Sequence, residues 1–419
     1  MKKKFIFGSA LVALLCSGIV FTSCKDDDDD NLIKTRTITV KNVVAEKDFV
    51  QSGTFAAVAV GGQTQITFHA GKGQTLAFAA MYGNSKDLFF APVNPGIKLF
   101  NDDGTAVTGD VSAQVKLWDN GTLVNSDPAG TASSQPTTAE DKLIVEIAGT
   151  DGTYIYPAAN EMMKLNLAYN ATTSLFTLTI SNNSDDTDVQ TAFSAGVWAV
   201  SNRQDGELLN TAPFYTAARK TTTELTALAT AGNTAPFVTM LDGETGIMTG
   251  ISPVLVVVYT GDTNPIFQVN AKDGGIGLKK LAQTGDASDL RTALERERLV
   301  TRVYVFGNGT AVSGEEFKGQ YEAYEYEKVA FVTMFTSSND WFYANNTSIN
   351  GQSTGDKTNL VSLYDDGTAV SQYPGAGNAQ VGFNNSPIAE DVVIKVVDAT
   401  SYPAFPVPSV AEVLKVTID

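Results

Sequence analysis

The 419-residue chain has a single histidine, His69, and only two cysteines, Cys16 and Cys24. With no cysteine beyond residue 24, the folded part has no disulfide, so packing or bound ions must hold it. The scarcity of nitrogen and sulfur ligands argues against zinc or copper. It also leaves any Ser-His-Asp triad dependent on His69, in Thr67-Phe68-His69-Ala70, whose neighbours read as an edge or surface strand. Basic residues are few, 29 Lys and Arg against 46 Asp and Glu, for a formal charge of −17. That balance excludes nucleic acid as a partner, because phosphate backbones are gripped by Lys and Arg displacing counterions. No spacing among the acidic residues singles out a glycosidase pair. The composition points to a protein that is not an enzyme.

Only one long apolar run exists, Phe5 to Phe21, preceded by Lys2-Lys3-Lys4. Seventeen residues reach about 25 Å, short of a ~30 Å bilayer core, so 1–23 reads as a signal peptide rather than a permanent span. Losing its three lysines leaves the mature chain at −20. The run ends Phe21-Thr22-Ser23-Cys24, which resembles the lipobox of bacterial lipoproteins, with Phe21 bulkier than usual. The resemblance makes Cys24 the lipidation site, bearing palmitate-type acyl chains that anchor the protein to a membrane. The alternative is an ordinary signal peptide with a chance cysteine. Lys25 and the aspartates Asp26 to Asp30 follow; like charges repel and stay solvated, so 24–33 reads as a tether. This acidic run resembles the export signal that carries lipoproteins to the outer face of the outer membrane; the alternative is a plain acidic spacer.

Beyond the tether, period-2 alternation dominates. Thr37-Ile38-Thr39-Val40, Phe176-Thr177-Leu178-Thr179-Ile180 and Val416-Thr417-Ile418 place apolar side chains at every second position, the pattern of half-buried antiparallel strands. Clusters such as Asn101-Asp102-Asp103-Gly104 and Asp365-Asp366-Gly367 supply the turns. The fold class is all-β, a pair of antiparallel β-sandwiches. Helical spacing is local: Leu278, Leu281, Leu290 and Leu294 across 275–298, and more weakly Glu224 to Leu228.

An internal repeat sets the domain count. FAAMYGNSKDLFF (Phe78–Phe90) aligns with FVTMFTSSNDWFY (Phe331–Tyr343), and LWDNGTLVN (Leu117–Asn125) with LYDDGTAVS (Leu363–Ser371). Met163 to Leu167 then parallels Leu414 to Ile418. These spacings predict one sandwich over 34–170 and a second, longer one over 171–419 that carries the helical segment.

Each copy brings an aspartate beside aromatics, Asp87 with Phe89 and Asp340 with Trp341 and Phe342. Each brings another in an Asp-x-Gly-Thr turn, Asp119 and Asp365. Carboxylates and turn carbonyls at one end of a sandwich suit calcium, which takes six to eight oxygens. Asn125, six residues past Asp119, could add an oxygen or cap a turn. The competing reading is that Asp119 and Asp365 only close turns through side-chain hydrogen bonds.

At these residues the sequence resembles the spondin N-terminal domain. The pattern is carried by Asn84-Ser85-Lys86-Asp87-Leu88-Phe89 with Trp118-Asp119-Asn120-Gly121-Thr122. It recurs in Ser338-Asn339-Asp340-Trp341-Phe342 with Tyr364-Asp365-Asp366-Gly367-Thr368. The resemblance implies a calcium-binding β-sandwich acting in adhesion or recognition of an extracellular glycan or protein; Trp341 and Phe342 are the candidate binding aromatics. Two departures stand out: the chain lacks the family's disulfides, and the acidic residue that usually follows the Gly-Thr is missing in both copies, which lowers the expected calcium affinity. The alternative function is a glycan-binding accessory protein of a polysaccharide uptake system, its contacts made by exposed aromatics.

Overall fold

The structure, a computed structural model, describes residues 32–130 and 137–419. Cys24, the signal peptide and the aspartate run lie outside the described residues. The first strands are β1 (Lys34–Asn42), β2 (Phe49–Phe55), β3 (Gln63–His69), β4 (Thr75–Tyr82), β5 (Leu88–Pro92) and β6 (Ile97–Lys98). There follow β7 (Gly109–Asp110), β8 (Val115–Asp119), β9 (Val145–Glu146), the short helix α1 (Ala159–Met162), β10 (Met163–Asn170), β11 (Leu175–Asn182) and β12 (Phe193–Ser201). A small hairpin, β13 (Arg203–Gln204) and β14 (Glu207–Leu208), leads to helices α2 (Thr223–Ala231) and α3 (Ala235–Glu244).

The later elements begin with β15 (Val254–Tyr259), α4 (Leu278–Thr284), α5 (Ser288–Leu294), β16 (Val300–Phe306) and β17 (Glu316–Ala323). Next come β18 (Lys328–Met334), β19 (Trp341–Asn345), β20 (Ile349–Asn350), β21 (Gly355–Asp356) and β22 (Val361–Asp365). The chain closes with β23 (Lys395–Val396), α6 (Val410–Val413) and β24 (Leu414–Ile418).

The protein is all-β, as the alternation predicts, and consists of two halves of the same design. In the first, a large sheet of order β2-β12-β4-β5-β8-β9 lies over a four-stranded sheet, β3-β11-β10-β7. In the second, β16-β15-β18-β19-β22-β23 lies over β17-β1-β24-β21. The alternating strands turn their apolar side chains inward: Ile38, Val40, Leu165, Leu167, Phe176, Leu178 and Ile180 are buried in a core continuous through both halves. The large sheets are apolar on both faces because helices cover the outer one. α2 and α3 bury Leu225, Leu228, Phe237 and Leu241 against the first large sheet. α4 and α5 bury Leu278, Leu281, Leu290 and Leu294 against the second. This cover is why β15, Val-Leu-Val-Val-Val-Tyr, is buried at every position.

Strand pairing corrects the boundary expected between residues 170 and 171. β1 belongs to the second half, held by β17 on one side (Lys34 opposite Ala323) and by β24 on the other (Ile38 opposite Ile418). β11 and β12 belong to the first half, paired with β10 and β3, and with β2 and β4. β1 and β11 occupy the same place in the two four-stranded sheets, so each copy's opening strand completes its neighbour. The extra length assigned to the second domain therefore serves the first: β12, α2 and α3 complete that half, and both halves carry helices. Alternation specifies which face of a strand is buried and says nothing about its partner, so the exchange leaves no trace in the periodicity.

Candidate functional site

The repeat motifs form equivalent corners, one at the end of each large sheet. Pairing of β5 with β8 sets Leu88 opposite Asp119, and pairing of β19 with β22 sets Trp341 opposite Asp365. The loop before each is cinched by a serine. Ser85 Oγ donates to the Tyr82 carbonyl (2.6 Å) and accepts from the Leu88 amide (3.1 Å), as Ser338 Oγ does with Phe335 (2.7 Å) and Trp341 (2.9 Å). The loop thereby aims Asp87, or Asp340, at the turn that follows the neighbouring strand.

The carboxylates divide their work in the same way in both halves. Asp87 Oδ2 accepts from the Thr122 amide (2.8 Å), the Thr122 hydroxyl (2.9 Å) and the Leu123 amide (2.8 Å). Asp340 Oδ2 accepts from Thr368 N (2.7 Å), Thr368 Oγ1 (3.1 Å) and Ala369 N (2.8 Å). Asp119 Oδ1 accepts from Gly121 N (2.7 Å) and Asp365 Oδ1 from Gly367 N (2.8 Å), which is the turn-closing role. Gly121 and Gly367 take φ of 74° and 71°, where a Cβ would be strained and would also press on the backbone of Lys142 or Val392. The remaining oxygens distinguish the positions. Asp119 Oδ2 accepts from Asn125 Nδ2 (2.9 Å), and Asp365 Oδ2 accepts from the Tyr402 hydroxyl and lies 3.7 Å from Lys395 Nζ. Asp87 Oδ1 and Asp340 Oδ1 are buried with no partner.

Burial pushes these acids up. It raises Asp87 above the ordinary carboxylate range and Asp119 to about 6, the latter helped by the charge of Asp87. Asp340, fully buried, lies well above that range through burial and then through the charge of Asp365. Asp366, also fully buried, reaches about 7, burial first and the charge of Asp273 next among the raising influences.

The structure adds residues that sequence reasoning missed. Glu140 and Glu390 return to the two turns, their amides donating to Thr122 O (2.8 Å) and Thr368 O (3.2 Å). Glu140 Oε1 is buried without a partner, and Glu390 is pushed up by burial and by Asp365. A signal existed: Ala139-Glu140-Asp141 recurs as Ala389-Glu390-Asp391. Asp273 and Asp366 in the second half each leave one buried oxygen unpartnered.

Trp341 and Phe342, expected to touch a ligand, are fully buried. β19 is covered on both faces, so Trp341 packs on Phe335, Tyr402 and Phe405 while Phe342 meets Phe267 edge to face and stacks with Tyr364 beneath the helices. They are core residues. Asn125 stays at the turn through its bond to Asp119, and its Oδ1 is buried and unpartnered. The one Gly-x-Ser-x-Gly spacing, Gly351 to Gly355, sits in a turn between β20 and β21 rather than in a strand-to-helix elbow. Among the described residues, no three His, Cys, Asp or Glu side chains gather as a metal-holding group. A cation here would therefore need backbone carbonyls, the Asn125 carbonyl oxygen or water beside the carboxylates. Hard cations accept such a set. No protein-family model and no curated protein sequence matches the chain.

Proposed function

We propose that the chain is a non-catalytic recognition protein of the cell surface whose two spondin-like halves each hold a calcium ion at the carboxylate corner. One observation carries this reading. In both halves an aspartate buried at the same position, Asp87 or Asp340, has one oxygen bonded three times and the other bonded to nothing. A buried, unpaired carboxylate oxygen is costly and calls for a proton or a cation. Asp87, Asp119 and Asn125 would hold the ion in the first half and Asp340 and Asp365 in the second, with Glu140 and Glu390 at hand. A bound calcium ion would neutralise the charge there and stiffen the turns. The chain's own residues position the turns: Ser85 and Ser338 fix the loops, and the glycines admit the left-handed bend.

In this reading Cys24 carries the lipid anchor, the acidic tether holds the sandwiches off the outer membrane towards the exterior, and adhesion to a glycan or protein is the outcome. Calorimetric titration of the mature protein with calcium is the test. Heat release at neutral pH, reduced by Asp340→Asn, supports the reading; absence of calcium heat in the parent protein removes it.

A further inference from the structure

A second feature lies at the seam of the two halves, and none of the corner carboxylates lines it. An open slot of about 420 Å³ is walled by β2, β3 and β12 of the first half and bordered by Tyr373, Ala404 and Pro406 of the second. Its aromatic wall is built from Trp198 and His69. Trp198 leans on Phe68, with ring centroids 6.0 Å apart, and has room because Gly53 lies under it; a Cβ there would meet the indole at 2.9 Å. His69 stacks on Tyr373 at 5.0 Å and 21°, and its Nδ1 pairs with the Thr173 carbonyl at 2.9 Å. The Trp198 indole N–H donates to no described residue, although Trp198 is only half-buried and borders the slot. Beside it, the Ser52 and Thr245 hydroxyls pair with each other at 2.8 Å.

None of the lining residues carries a charge: burial holds the His69 imidazole below its ordinary range, so it is neutral at pH 7. This narrows the ligand. A phosphate, sulfate or carboxylate would be desolvated with no cation to meet it, and a cation with no anion. A lipid chain would leave the indole N–H unsatisfied and give the paired hydroxyls nothing further to bond. A ligand with an apolar face and hydroxyls around its edge satisfies both kinds of wall, since aromatic side chains offer a flat apolar surface with a polar handle. The volume is at the lower end of small-ligand sites, and such sites favour the boundary between packed units.

We propose that this slot binds a neutral sugar unit of a glycan. The ring lies against Trp198 and Pro406, and its hydroxyls meet the indole N–H, the Ser52–Thr245 pair and His69 Nε2. This differs from the calcium reading in residues and chemistry, and it replaces Trp341 as the aromatic contact for glycan.

The test is an array of neutral and acidic glycans probed with the mature protein, followed by titration of the best neutral oligosaccharide. Binding of neutral glycans is expected. Trp198→Ala should weaken it tenfold or more and Trp198→Phe less. Ala404→Trp, a bulky group at the exposed rim that leaves the core untouched, should block it even if Trp198→Ala fails to fold. Chelator should leave the affinity unchanged, so failure of the calcium reading and failure of this one are separable. No neutral glycan bound, binding restricted to acidic glycans, or binding indifferent to Ala404→Trp each overturns the proposal.

Discussion

The two halves share a backbone plan, yet they fill one position beside the carboxylate corner with opposite chemistry. In the first half Asn120 follows the turn aspartate. Its carbonyl accepts from the Thr221 hydroxyl and its amide donates to Thr122 Oγ1 at 3.1 Å. In the second half Asp366 takes that place: one oxygen accepts from Thr368 (3.0 Å), the other has no partner, and Asp273 bears on it electrostatically. An amide and a hydroxyl satisfy each other; two carboxylates repel until a proton or cation comes between them. The same turn is thus quiet in one half and charge-sensitive in the other, and the following predictions probe that difference.

The largest effect is expected at the largest fully buried side chain of the second half. Trp341 stands where the first half has Leu88, and both are buried in the core. Trp341→Ala should cost about 3–5 kcal/mol in denaturant unfolding. A loss of binding without a loss of stability would return Trp341 to the ligand surface. Next, Ile38→Ala in β1 should cost about 2–5 kcal/mol. Its first symptom should be faster amide exchange in β17 and β24, the strands β1 joins. Exchange rising first in β10 and β11 would contradict the strand exchange.

Smaller effects are expected at the divergent position. Asp366→Asn gives the second half the amide of the first and should stabilise the calcium-free protein by about 1 kcal/mol at pH 7.5, whereas Asn120→Asp should destabilise it. The pH dependence follows. Asp366 and Asp119, at about 7 and about 6 in the folded state against an ordinary 3.8, bind protons in the folded protein at pH values where the unfolded chain has released them. Their contribution to calcium-free stability therefore rises as pH falls from 7.5 towards 4. The melting temperature should follow that sign, less steeply in Asp366→Asn; a flat profile in both proteins would mean these acids are not buried as described.

Much of this arrangement is legible in the sequence, because alternation and repeat spacing are local. The motif residues fall on β4–β5 and β18–β19, and on β8 and β22, as the aligned segments require. The leucines of 275–298 form α4 and α5. What escaped is non-local. Nothing in Thr37-Ile38-Thr39-Val40 says that its partners lie some 280 residues and more away. Trp341 reads as a loop aromatic until both faces of β19 are seen to be covered. Glu140 and Glu390 lie 18 and 22 residues beyond the threonines they rejoin, separations too unlike for spacing alone to pair them.

The unpartnered oxygens of Asp87 and Asp340 call for a cation in each half. Counting bound calcium per chain at pH 7.5 by equilibrium dialysis tests this most directly. Two ions are predicted for the parent protein, one each for Asp87→Asn and Asp340→Asn, and none for the double variant. A parent protein that retains no calcium, or a double variant that retains as much as the parent, would contradict it.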